Sequence, residues 1–158
     1  MTDTGLGHAK TAILMGEMTV PHLRAVYHAF DGDLLLALVL GELSHRSLSK
    51  LFERHGGEHP DLDQWLRLPE DERARYLRPC NAFSLAEATG IPRETVRRKV
   101  KILVDKGWVH EAPNKQLTIT DEPARLFAPL YLSLSEQCTR IGEALRGGTS
   151  YTRPAGAY

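Results

Sequence analysis

The pattern of apolar and polar positions predicts a chain built mainly of helices. The clearest helix is predicted over residues 33–54, where Asp33 can cap its start and Gly56-Gly57 can end it. A shorter amphipathic helix is predicted over residues 21–30. Residues 55–79 are polar and interrupted by prolines, so we expect a linker with one or two short helical turns, held by Trp65, Leu68 and Tyr76.

A different pattern follows the linker. Ser84-Leu85-Ala86-Glu87 matches a capping box and predicts a short helix that ends at Gly90, where a left-handed residue is needed. Pro92 suits the start of a second helix, predicted over residues 93–106. Residues 108–111 and 116–120 alternate as half-buried strands do, with a turn at 112–115. The segment therefore predicts two short helices followed by a β-hairpin.

The second of these helices is amphipathic. Val96, Val100 and Leu103 recur at spacings of four and three, so they share one face that we expect to pack on the preceding helix. The remaining faces carry a charged cluster that is mostly basic. Its members are Arg93, Glu94, Arg97, Arg98 and Lys101.

A last helix of about 25 residues is predicted after Asp121, with Pro123 in its first turn and a kink or break at Pro129. Its apolar residues form a seam at spacings of 3, 4, 4, 3 and 4, namely Phe127, Leu130, Leu134, Cys138, Ile141 and Leu145. We interpret this seam as a candidate homodimer interface and residues 34–40 as a second candidate. Either stripe also fits an intramolecular core.

Composition restricts the kind of partner. The 158 residues carry 20 Lys+Arg against 20 Asp+Glu, so an electrostatic partner is met locally and not over the whole surface. Two cysteines are too few for a disulfide framework, and no apolar run reaches the length of a membrane span. We therefore expect a protein of the cytoplasm with no membrane partner.

The middle segment resembles the bacterial winged helix-turn-helix transcription regulators of the MarR, GntR and catabolite-activator-like groups. The resemblance covers residues 82–120 and is carried by "SLAEATGIPRETVRRKVKILVDKGWV" followed by a short hairpin. Lys99 and Ile102 depart from the usual pattern, in which the first position is mostly apolar and the second often polar. The expected fold is mainly α with a small β-hairpin wing: a winged helix-turn-helix with additional N- and C-terminal helices.

This fold implies an organisation in four parts. Residues 1–79 form an N-terminal helical region and linker, and 80–122 form the DNA-binding core. Residues 123–146 form a helix for dimerisation, and 147–158 are a disordered tail rich in Gly, Ser, Thr and Pro.

The resemblance implies a homodimeric, nucleoid-associated regulator that binds double-stranded DNA, with the second helix in the major groove and the wing on the flanking backbone. Arginine and lysine bind phosphates, and arginine also reads guanine. Glu94 is open to two interpretations, as an acceptor from cytosine or as a first-turn acid that stabilises its own helix. The predicted DNA-binding residues are Ser84, Arg93, Glu94, Thr95, Arg97, Arg98, Lys101, Asn114 and Lys115.

Other functions have weaker support. A winged-helix adaptor that binds another protein is the alternative, and a metal sensor using His55, His59 and Cys80 is a third. The MarR resemblance implies a small-molecule effector pocket, for which isolated aromatics such as Tyr27, Phe30, Trp65 and Tyr76 are candidates, although such residues usually belong to the core. No motif predicts an enzyme, a cofactor or a resident metal.

Overall fold

The computed structural model describes residues 3–53 and 62–147. They are mainly helical, with one small antiparallel hairpin. The helices are α1 (Asp3–Ala29), α2 (Leu34–Glu53), α3 (Leu62–Leu66), α4 (Glu70–Ala74), α5 (Ala82–Thr89), α6 (Arg93–Asp105) and α7 (Glu122–Leu145), and the strands are β1 (Val109–Glu111) and β2 (Leu117–Ile119).

The chain divides into two compact units. One contains residues 1–34 and 124–158, and the other contains residues 35–123. The predicted tail at 147–158, apart from Gly147, and the predicted helix end at Gly56-Gly57 lie outside the described residues.

In the first unit, α1 and α7 pack as an antiparallel pair. The ammonium of Lys10 donates to the carbonyl oxygen of Ala144 at 2.7 Å. At the other end, the rings of Phe30 and Phe127 stack with centroids 4.8 Å apart. Between these contacts, Leu14 packs with Ile141. The apolar stripe of α7 therefore faces α1 of the same chain at these positions.

The extent of α1 corrects the prediction of a short helix over residues 21–30. The helix has 27 residues and continues through Pro21, although proline removes one backbone hydrogen bond. In a like manner α7 is one continuous helix with Pro129 inside it, so the predicted break does not occur.

A second stripe of α1 is not covered by any of the described residues. Its members follow one another at spacings of four, three, four, three and four, and its large side chains are exposed, from 49% for Tyr27 to 66% for Ile13. The stripe comprises Ala9, Ile13, Gly16, Val20, Leu23 and Tyr27, and we call it the α1 stripe.

In the second unit, the predicted elements are present. Helix α2 begins directly after Asp33, and the linker contains the short helices α3 and α4. Arg73 of α4 donates to the carbonyl oxygens of Leu66 and Leu68, and it forms an ion pair with Asp121. Arg73 therefore connects α4 to the end of α3 and to Asp121.

Candidate nucleic-acid interface

The start of α5 is fixed by a capping box that differs from the predicted one. Asn81, not Ser84, is the N-cap, and its side-chain oxygen accepts from the Ser84 amide at 2.9 Å. In return the Ser84 hydroxyl accepts from the Asn81 amide at 3.3 Å. Ser84 is therefore the third residue of the helix. Because its amide is already bonded, the phosphate contact predicted for that backbone group loses its basis.

The end of α5 agrees with the prediction. Gly90 adopts a left-handed conformation with φ 68°, and its amide donates to the carbonyl oxygen of Ala86 at 2.9 Å. The hydroxyl of Thr89 accepts a hydrogen bond from the amide of Ile91 at 3.3 Å, so the short connection has its own support. This turn sets the direction in which α6 leaves.

Helix α6 buries the face that the sequence predicts. Val96 and Leu103 are fully buried and Val100 is nearly so. Helix α5 packs against α6 and contributes Leu85 and Ala86 to the core, and Ile91 of the connection is buried as well. The helix is therefore braced from behind by apolar side chains.

The opposite side of α6 carries exposed cations. We call the exposed basic residues Arg93, Arg97, Arg98 and Lys101 the cationic face. Thr95 is half-buried and Glu94 is exposed within the same surface. Ile102 is also partly exposed, at 36%, and Lys99 is half-buried, so both atypical positions lie beside this surface without belonging to the core.

Most of these cations have acidic neighbours. Arg97 lies 3.0 Å from the Glu94 carboxylate and Lys101 lies 2.9 Å from that of Asp105, both on α6 itself. Arg93 lies 3.7 Å from Glu87 of α5. Arg98 makes no ion pair within the described residues. All three pairs are exposed, so each contributes little to stability and exchanges readily with another anion.

The hairpin stands beside α6. Its strands pair Val109 with Ile119 and Glu111 with Leu117. At the tip, the exposed Lys115 has a φ of 64°, and the Asn114 side-chain oxygen accepts from the Gln116 amide at 3.2 Å. The Lys115 ammonium lies 3.5 Å from the Glu111 carboxylate. The turn is thus held by local hydrogen bonds while its lysine points to solvent.

A third chain segment joins the hairpin, and the sequence patterns do not predict it. Cys80 pairs with Leu117 through two backbone hydrogen bonds of 3.0 and 2.7 Å. Because Cys80 immediately precedes the cap Asn81, the hairpin and the beginning of α5 are joined directly. Cys80 is buried, and burial raises the pKa of its thiol above 9.0, with Arg46 opposing the shift.

Between these elements lies an open groove of about 830 Å³. Residues from α6, the beginning of α5 and the hairpin line it. Its lining combines predicted site residues with one exposed aromatic, and includes Phe83, Glu94, Arg97, Arg98, Lys101, Asn114 and Lys115. Most of the predicted DNA-binding side chains are therefore brought to one concave surface, whereas Ser84, Arg93 and Thr95 are not part of its lining.

Among residues 3–53 and 62–147, none of the helices has both the length and the apolar character that crossing a bilayer requires. Within the same ranges, no three potential ligands from His, Cys, Asp and Glu converge on a metal position. His55 and His59 lie outside these ranges. No family model, no curated protein and no solved structure matches the chain.

Proposed function

We propose that this chain binds double-stranded DNA through a winged helix-turn-helix and regulates transcription. In this proposal α5 braces α6, α6 enters the major groove and the hairpin is the wing that contacts the flanking backbone. One observation carries the proposal: α6 buries Val96, Val100 and Leu103 against α5, while its opposite side presents the cationic face beside the hairpin.

The ion pairs on this surface are compatible with DNA binding. The Arg97 and Glu94 side chains are 69% and 79% exposed, and such a pair stabilises the protein by at most about 1 kcal/mol. A duplex offers closely spaced phosphates and gains free energy by releasing its counterions. The phosphates therefore compete effectively with Glu94 for Arg97, and with Asp105 for Lys101.

Sequence preference would come from side chains that reach base edges. Arg97 and Arg98 line the groove, and an arginine that donates to both O6 and N7 of guanine contributes roughly 1–3 kcal/mol of discrimination. Lys115 at the hairpin tip contributes affinity through a phosphate, which carries little sequence information.

The proposed DNA-binding form is a homodimer, because one α6 covers too few base pairs to specify a site. The predicted α7 seam is engaged with α1 of the same chain through Phe127 and Ile141. The α1 stripe, by contrast, is exposed and has the 3.5-residue period of a helix that packs on another helix. We therefore assign the dimer contact to the α1 stripe, which would pack on the same stripe of a second copy.

A small-molecule effector stays a prediction of the resemblance alone.

One observation favours the alternative function, a winged-helix adaptor that binds a protein. The cationic face and Lys115 supply five cations, and Glu87, Glu94, Asp105 and Glu111 supply four acids near them. A nearly balanced, groove-shaped surface also suits a polar peptide. The two functions differ in salt dependence, because DNA affinity falls steeply with salt when several phosphates are bound.

Selection from a random pool of duplexes tests the proposal. We expect enrichment of a site with dyad symmetry, and loss of most of the affinity in Arg97→Ala with an unchanged thermal unfolding midpoint. The matched control is Arg67→Ala, which removes the same charge from an exposed arginine that does not line the groove. Equal affinity of wild type and Arg97→Ala for every duplex, with recovery of a protein partner at high salt, would favour the adaptor.

A further inference from the structure

Phe83 is an exposed aromatic residue whose position packing does not explain. It is the second residue of α5, and it is 50% exposed, whereas Leu85 and Ala86 of the same helix are buried. Its side chain lines the groove between α6 and the hairpin. Its ring contacts Arg93, whose guanidinium carbon lies 4.0 Å from the ring centroid.

Two side chains of α5 contact Arg93. Phe83 and Glu87 are four residues apart, so they lie on one face of α5, and the Glu87 carboxylate is 3.7 Å from the Arg93 guanidinium. Arg93 is the first residue of α6, so these contacts cross from one helix to the other. Arg97 and Lys101 differ, because their acidic partners belong to α6 itself.

An aromatic ring leaves the donors of an arginine accessible. Stacking uses the flat face of the guanidinium, while its five N–H groups lie in the plane and point outward from the edge. The ring also restricts the rotamers of Arg93, so less conformational entropy is lost when that arginine binds. A guanidinium with a fixed plane and free edge donors matches the O6 and N7 acceptors of guanine.

We propose that Phe83 is a positioning residue that fixes the plane of Arg93 for guanine recognition. The exposed part of the Phe83 ring then contacts the methyl group of a thymine in the neighbouring base pair, a contact that apolar side chains make in the major groove. The inference rests on the proposed function, since it requires α6 in the major groove. It assigns to this corner of the site a guanine with an adjacent thymine.

Modified duplexes test the inference. The site selected by the wild-type protein is synthesised with 7-deazaguanine replacing each guanine in turn, which removes N7, and with uracil replacing each thymine, which removes the methyl group. We expect the wild type to lose about tenfold in affinity at one guanine of each half-site, with a smaller loss at the neighbouring thymine. In Phe83→Leu the effect of removing N7 shrinks towards zero, because leucine cannot stack on Arg93. In Phe83→Trp the effect returns, because the indole ring supports stacking.

Further readouts distinguish positioning from a structural role. The slope of log affinity against log salt stays the same in Phe83→Leu, because no phosphate contact is removed. In the free protein, the ring-current shift of the Arg93 side-chain protons is lost in Phe83→Leu and kept in Phe83→Trp. Ile102→Ala is the matched control, since it truncates a partly exposed apolar residue that does not line the groove.

The outcomes separate the inference from the proposed function. If the wild type selects a site and Phe83→Leu retains the same guanine preference, or loses affinity equally for every duplex, the inference is overturned and the proposed function stands. If the wild type selects no duplex, both are overturned.

Discussion

Glu94 lies within the cationic face, and replacing it separates the two interpretations of its role. Its carboxylate is 3.0 Å from the Arg97 guanidinium, and both side chains are largely exposed. The pair must break before Arg97 binds a phosphate. An exposed ion pair contributes about 0.2–1 kcal/mol, and Glu94→Gln removes this pair. Because Arg97 then binds without first breaking the pair, the affinity for random-sequence DNA is expected to rise by up to about fivefold.

The salt dependence gives a second measure of the same change. If the released Arg97 neutralises one more phosphate, the slope of log affinity against log salt steepens by up to about 0.9. At the selected site the expectation differs: if Glu94 accepts from a cytosine amino group, Glu94→Gln weakens binding to that site while it strengthens binding to random DNA. Fluorescence anisotropy with both duplexes at several salt concentrations measures these effects.

The control for Glu94→Gln is Glu53→Gln. Glu53 is an exposed acid that accepts from Arg78 and does not line the groove, so its replacement changes the net charge equally. Affinity and salt slope for random DNA that are the same in wild type and Glu94→Gln would refute the reasoning. So would an equal gain in Glu53→Gln, because the effect would then follow net charge alone.

Three other changes probe the core, the dimer and the buried thiol. Leu103→Ala, at a fully buried position, is expected to lower the free energy of unfolding by about 2–5 kcal/mol in urea denaturation. Val20→Glu places a charge in the α1 stripe and is expected to shift sedimentation from the proposed dimer to the monomer, whereas Met15→Glu, on the same helix but off the stripe, is expected to leave the proposed dimer intact. The pKa of Cys80 is higher in the folded than in the unfolded chain. Its contribution to stability is therefore complete below pH 9.0 and is lost as the pH rises through the folded-state pKa. Urea denaturation across that range should show a free energy of unfolding that declines with pH, and a smaller decline in Cys80→Ala.

The amphipathic pattern was sufficient to predict α6, because each of its two faces is specified by its own residues. Val96, Val100 and Leu103 recur at helical spacing and are the buried ones. Gly90 likewise indicates its own left-handed conformation, since a side chain is disfavoured there. Such features depend on neighbours within one turn of the chain, and local patterns describe them well.

The beginning of α5 depends on a distant contact and was predicted wrongly. Both Ser84 and Asn81 precede a suitable partner by three residues, so the sequence contains two overlapping capping patterns. The structure uses Asn81, because Cys80 is held extended by its pairing with Leu117 and the helix begins immediately after it. No local pattern contains that information.

The apolar stripes of α1 and α7 show a related limit of prediction from periodicity. The seam of α7 indicates that a helix covers it, but periodicity does not say whether that helix belongs to the same chain. In the structure Ile141 packs with Leu14 of α1, and Phe127 stacks on Phe30, the residue directly after α1. The full length of α1 was missed because Pro21 and Gly16 are poor helix formers, and tertiary contacts outweigh their local preferences.

The two hydrogen bonds between Cys80 and Leu117 have a mechanical consequence. A hairpin attached only through its own strands could bend about its base independently of the helices. Here the base of the hairpin is hydrogen-bonded to the residue that precedes Asn81. A displacement of the tip at Lys115 is therefore transmitted to the beginning of α5. A force that a bound molecule exerts on the hairpin would therefore also act on α5, which packs against α6.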